Sequence, residues 1–292
     1  MAQHISLVYG YRGAKTKEEV GAQAALCRKG FEFYRKAARL GLGAETWGVV
    51  LKLVLGVTEA LLRPGAGEDG QLGRELAAEA LHVLYEVWLA SRTREEGLWA
   101  SFVEYHRGWT HLPEAVAQWA SAVGGLATAL VDGLYFQQGQ GAVVRIATTA
   151  PQEATLLELG AGAVGYAWHR VYQLLGGVNT MPTAGTFSQA MKGLAAVVQV
   201  FLSVVRAGCA DAPDGNTLLG IFGGDLFEAA LLNRPEREEG TATAIATLCA
   251  IFTGCARSCF APRYLAGLYS AVRACLASPY HSPVLIATLQ ST

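Results

Sequence analysis

Apolar residues recur at three- and four-residue intervals along most of this chain, a period that admits helices and little else. From Thr46 onward, Trp47, Val50, Leu51, Val54, Leu55, Thr58, Leu61 and Leu62 follow the i, i+3, i+4, i+7 rule and share one helix face. Pro64, Gly65 and Gly67 end that segment. The next stretch, Gln71 to Ser91, sets Leu76, Ala80, Val83, Leu84 and Val87 on one side and Arg74, Glu75, Glu79 and Glu86 on the other. Similar patterning predicts helices over 18–40, 95–106, 113–135, 155–176, 185–206, 216–232, 239–256, 262–277 and 283–291. Pro113 followed by Glu114 suits a first turn, where a missing N–H costs nothing and a carboxylate meets the positive dipole end. Ser282 before Pro283 reads as an N-cap and first helical residue.

Strand signals are scarce. Val143 to Thr149 reads as one short strand or as a loop, since Gly139, Gly141 and Pro151 flank it. No alternation of strand and helix recurs, which argues against an α/β sheet. The expected fold is all-α, an α-solenoid of about eleven helices in stacked antiparallel pairs of the HEAT or armadillo kind, with an irregular helical bundle as the alternative. Residues 1–17 read as an N-terminal tail and 18–292 as a single helical scaffold domain. The last expected helix has no closing polar cap, as expected of an N-terminal part of a longer protein or of a chain that closes against a partner.

Composition narrows the function classes. Of 292 residues, 52% are hydrophobic and 16% charged, so there is ample apolar surface to offset chain entropy and disorder is excluded as the main state. Lys+Arg 23 against Asp+Glu 24 leaves no basic excess for nucleic acid or an acidic membrane. Met1 to Gly10 lacks the basic start and apolar core of a secretory leader. Ala115 to Val131 is apolar, but Gln118, Ser121, Thr128 and the Gly124–Gly125 pair make it a buried helix rather than a bilayer span. The six cysteines sit mostly in apolar helical stretches and read as reduced thiols of a cytoplasmic protein.

Gly160, Gly162 and Gly165, following the apolar run Leu156 to Leu159, form a G-x-G-x-x-G string like the loop of an S-adenosylmethionine or dinucleotide enzyme. Such a site wants a carboxylate about 20 residues on for the ribose, yet none occurs between Glu158 and Asp211. The helical run Tyr166 to Tyr172 and the absence of later strands also argue against it. A second such string, Gly65 to Gly70, reads as a linker. Cys249, Cys255 and Cys259, with His281, lack the second ligand pair of a structural zinc site. His106 and His111 are five apart with Gly108 between, which suits a loop or cap rather than a metal. No G-x-S-x-G elbow is present. No catalytic, cofactor-binding or metal-binding residue is therefore expected, and the chain reads as a non-enzyme. The six tryptophans all fall within the first 168 residues; most read as packing anchors, with one or two expected at an interface.

One series of strings carries a family resemblance. Glu45-Thr46-Trp47, Val83 to Leu89 with Glu86-Val87-Trp88, and Trp109 to Trp119 with Pro113 come first. Ala167-Trp168-His169-Arg170, Gln189 to Leu194, Leu219 to Ala230 with Phe222 and Phe227, Thr247 to Phe252, Pro262 to Leu265, and His281 to Leu285 with Pro283 follow in order. In this order they resemble the N-terminal helical region of the Ral GTPase-activating protein complex, and more closely that of its β subunit. The resemblance implies a non-catalytic scaffold that assembles with a catalytic α-type subunit and so acts indirectly on a Ras-like GTPase. The family's GTPase-activating domain lies far downstream, and nothing here matches its asparagine. The family has a tryptophan where Gly224-Asp225 stand, and a polar insertion before Leu218 is trimmed to Asp211–Gly215. The motif positions are expected to be structural. The alternatives are an unrelated helical adaptor and, behind it, a cofactor-dependent enzyme.

Overall fold

Capping chemistry divides the chain close to where the apolar period breaks. The computed structural model describes residues 8–11, 16–63, 71–136, 142–147, 154–232, 234–256 and 259–277. Ten α-helices occur among them: α1 (Lys17–Ala38), α2 (Ala44–Leu62), α3 (Gln71–Ser91), α4 (Glu96–Gly108), α5 (Pro113–Val131), α6 (Ala161–Gln173), α7 (Ala184–Arg206), α8 (Gly215–Ala230), α9 (Glu238–Gly254) and α10 (Pro262–Ala277). Thr16 and Glu19 close a reciprocal capping box on α1, at 3.2 and 3.0 Å. Thr183 and Thr186 repeat the device on α7, and the Asp214 carboxylate accepts the Thr217 N–H at 2.7 Å on α8. Gly176 and Gly208, at φ 74° and 72°, follow α6 and α7 and turn the chain out of the helix.

Among the described residues the fold is all-α apart from one strand pair, β1 (Ala142–Ala147) and β2 (Ala154–Leu159). Only residues 148–153 join them, too short a link for a crossover, so the pair is antiparallel. The expected helix over 155–176 is thus corrected: a strand and then a helix occupy it. Leu159 is buried while Leu156 and Glu158 are exposed, a two-residue period that a leucine-rich stretch disguises. The expected helix over 113–135 ends its α part at Val131 and closes in a π-turn, Asp132–Phe136. The expected helix at 283–291, with Pro283, and the linker at Gly65 to Gly70 lie outside the described residues.

The chain divides into two compact units, Met1–Ala122 with Val143–Leu175, and Val123–Ala142 with Gly176–Thr292. In the first, the end of α2 meets the start of α3 so closely that the Leu61 carbonyl fills the space a side chain at Gly73 would need. These two helices are therefore antiparallel. Helix α1 instead runs along α3 in the same direction. Arg28 pairs with Glu75 and Glu79 at 3.2 and 3.0 Å, and two turns on Arg35 pairs with Glu86 at 2.6 Å.

The second unit repeats this plan. Near their starts, Ser188 and Lys192 of α7 donate to Glu239 of α9, both at 2.6 Å. Near their ends, Leu202 lies against Gly254. Helix α8 runs the other way, its Gly215 against Cys255 beyond the end of α9. Helix α10 follows α8, with Tyr264 beside Gly220 and Phe227 against Gly267. Next-but-one helices run parallel in both units, the arrangement that stacked helical hairpins produce. Each unit has its own core, Leu51, Leu84, Trp88 and Phe102 in one and Phe187, Leu194, Phe222 and Leu248 in the other.

Candidate interaction site

The first unit is organised around aromatic rings supplied by α3 and α4. Trp88 lies 4.5 Å from Phe102 and 5.7 Å from Trp99, centroid to centroid. Phe102 leads to His106 at 6.0 Å, and His106 to Trp109 at 6.0 Å. The Tyr85 hydroxyl and His106 Nε2 are 2.8 Å apart. Complete burial holds the His106 ring neutral, lowering its pKa to about 4 against a partial offset from a backbone hydrogen bond at Leu174. The same burial pushes the Tyr85 phenol well above its ordinary range. Two indole N–H groups find acceptors elsewhere: Trp109 donates to Glu59 at 2.8 Å and Trp119 to the Val171 carbonyl at 2.9 Å. These rings make a packed, hydrogen-bonded core.

A polar cluster joins β2 to α3. Thr155 Oγ1 lies 2.9 Å from His82 Nε2, and Arg35 donates to the same hydroxyl at 3.3 Å. Glu86 accepts from that hydroxyl at 3.4 Å, is 3% exposed and is paired with the Arg35 guanidinium at 2.6 Å. Burial first, and the Arg35 charge second, lower the His82 pKa to about 4.

Beside these groups the α3–α4 connection faces the start of α6 across a small pocket of about 20 Å³, partly open to solvent. Trp88, Leu89 and Trp99 contribute apolar lining, together with Leu159, Ala163 and Ala167. Arg92, Thr93, Arg94 and Tyr166 complete it. Arg92 sits at φ 52°, the one non-glycine residue in the left-handed region among the described residues, and donates to the Glu158 carbonyl at 2.9 Å. The Arg94 and Arg170 guanidinium groups stand 5.5 and 5.3 Å from the Tyr166 ring centre. Arg170 is also paired with Glu96 at 3.3 Å. Gly160, without a side-chain cap, opens α6 at the edge of this pocket.

The motif positions separate by burial. Val87, Trp88, Trp109, Trp119 and Phe222 are buried, and Glu86 is the buried member of an ion pair. Trp47, Trp168 and Phe227 are half-buried, Trp168 stacked on Tyr172 at 5.9 Å and Phe227 on Tyr264 at 6.4 Å. Glu45, Thr46 and Pro113 are exposed at helix starts. Trp88 and Trp109 meet through one aromatic chain, Glu45, Thr46 and Trp47 stand apart on α2, and Phe222 and Phe227 fall in the second unit. Gly160 to Gly165 do follow a strand and open a helix, but the sheet among the described residues is an antiparallel pair rather than a parallel sheet with a switch point. Helix α9 ends at Gly254, so Cys255 and Cys259 share no helix face, and no metal-holding group of three ligands occurs among the described residues. His111 Nδ1 lies 3.0 Å from the Gly108 carbonyl within a turn. The pocket was not singled out by sequence reasoning; its only signal was two arginines flanking one threonine between helices.

Fold and site together define an all-α chain whose first unit has an aromatic core with a small, arginine-edged pocket beside it. Residues 19–137 match the RALGAPB N-terminal domain. A Rap-GAP domain-containing protein of Dictyostelium discoideum is 31% identical over 261 residues, covering 88% of this chain and 16% of that protein. The human Ral GTPase-activating protein subunit beta is 28% identical over 166 residues, 54% of this chain and 11% of its own length. The mouse subunit is 31% identical over 124 residues, 41% and 8% of the two chains. The chain is thus related to Ral GTPase-activating protein β subunits through the N-terminal domain, as the ordered motifs implied. It spans about a sixth or less of the length of these relatives. No solved structure matches it.

Proposed function

We propose that this chain is a non-catalytic scaffold region of a Ral GTPase-activating complex, which supports assembly with a catalytic α-type subunit and so regulates a Ras-like GTPase in the cytoplasm. The observation that carries the reading is the RALGAPB N-terminal domain match over residues 19–137. The helical fold is compatible with it: the Tyr85–His106 and Arg35–Glu86 pairs lie inside the first unit, where they contribute to packing between helices. The Dictyostelium relative carries a Rap-GAP domain by name, which fits a scaffold joined to GTPase activation. Co-precipitation tests the reading. The full-length protein retains the α-type subunit, and deletion of this region lowers recovery at equal expression. Equal recovery of the pair after deletion would refute the assembly role.

A further inference from the structure

We propose that the open apolar row on α10 is the docking surface of residues 283–291 of the same chain, which lie along it as an antiparallel helix. The contact is independent of the scaffold reading above. Helix α10 buries only Ala271 and Cys275, whereas α9, one residue longer, buries eight residues. The buried side of α10 meets α8: Cys275 Sγ lies 3.9 Å from the Ala230 carbonyl, and Phe227 lies against Gly267. On another side Leu265, Tyr269 and Leu276 are exposed, Tyr269 by 72% and Leu276 by 56%. With the half-buried Val272 they are spaced four, three and four residues apart, the row along which one helix packs on another. Arg263 and Arg273 stand off this row, so it carries no charge.

The chain beyond α10 selects the occupant. Pro279 stands two residues past Ala277 and cannot continue the helix. Residues 278–282 leave five positions for a turn before Pro283, a connection that sets consecutive helices side by side and antiparallel. Helices α7, α8 and α9 of the same unit already alternate in this way. Residues 283–291 hold no charged side chain, and helical spacing puts Leu285, Ile286 and Leu289 on one side. A nine-residue helix is about 14 Å long and does not hold together in water without an apolar partner. The row from Leu265 to Leu276 is about 16 Å long. A helix returning from the Leu276 end therefore covers Leu276, Val272 and Tyr269 and stops near Leu265. The row is then closed by its own chain and is not surface for a protein partner.

Amide hydrogen exchange of the full chain, read on peptides by mass spectrometry, tests this. Residues 284–291 should exchange at least about tenfold more slowly than in a synthetic peptide of residues 278–292, at any protein concentration. Tyr269→Glu, which sets a charge in the row, should abolish that protection. Leu289→Glu, which sets it on the docked segment and leaves α10 untouched, should do the same. Ser270→Glu, exposed on α10 but off the row, should leave the protection in place. Exchange of α8 in the same samples reports that the second unit stays folded. Peptide-like exchange in the wild type, or protection that survives both Tyr269→Glu and Leu289→Glu, would overturn the proposal. So would equal loss in Ser270→Glu, and so would protection that grows with concentration, which would assign the row to a second copy of the chain.

Discussion

Trp88 is 1% exposed and wedged between Trp99 and Phe102, so its neighbours cannot close over the space it fills. Trp88→Ala should therefore cost about 3–5 kcal/mol of stability in urea denaturation. A loss below about 1 kcal/mol would remove the indole from the packing account. The two buried histidines give a second residue-scale expectation. His82 and His106 titrate near about 4 in the folded chain against 6.5 when unfolded. Between those values the unfolded chain binds protons that the folded chain refuses, so stability falls as pH drops from about 6.5 to about 4 and this contribution levels off below. The full effect is of order 3 kcal/mol per ring. Thermal midpoints across this window should show the decline, and His106→Gln should flatten it by about half; an unchanged profile in that variant would count against the buried neutral ring.

At the scale of elements, close helix approach produces a glycine whose replacement is harmful despite better helix propensity. A methyl group at Gly240 on α9 would enter the Phe187 ring, which is fully buried and overlaid by Arg237 at 5.0 Å. Gly240→Ala should gain about 1 kcal/mol in propensity yet lose about 1–3 kcal/mol net, because the ring has no room to shift. Chemical denaturation of the variant decides; a net gain would mean that α7 and α9 are less tightly packed. Helix positions were largely legible in sequence for the reason that makes Gly240 costly: one apolar face per helix must meet a partner. The segments 71–91 and 262–277 were predicted with the bounds observed, and most others differ by a residue or two, but 113–135 ends its α part four residues early and 155–176 holds a strand before a shorter helix. Residues 154–159 misled because three leucines suit either period, and only pairing with 142–147, a contact absent from local sequence, selects the strand. The pocket was hidden for a similar reason. Arg94 and Tyr166 are far apart in sequence, and a positive φ at an arginine leaves no compositional trace.

For the whole molecule, the local strand-glycine-helix form at Gly160 to Gly165 is separable from cofactor chemistry. Among the described residues the strands form one antiparallel pair, which lacks the parallel strand ends at which such folds hold a nucleotide. S-adenosylmethionine or a nicotinamide dinucleotide should leave the thermal midpoint unchanged, and a saturable rise of several degrees with either would reopen the enzymatic reading. The ion pairs between α1 and α3 have a consequence for how such a chain assembles. If one helix slid a single turn along the other, Arg28 would still find an acid, because Glu75 and Glu79 are one turn apart, but the buried Glu86 would lose Arg35 and keep only the neutral Thr155 and His82 beside it. Two contacts thus tolerate a slip and the third forbids it, so a hairpin docked out of step betrays itself through one abandoned carboxylate and comes apart before the next layer can settle on it.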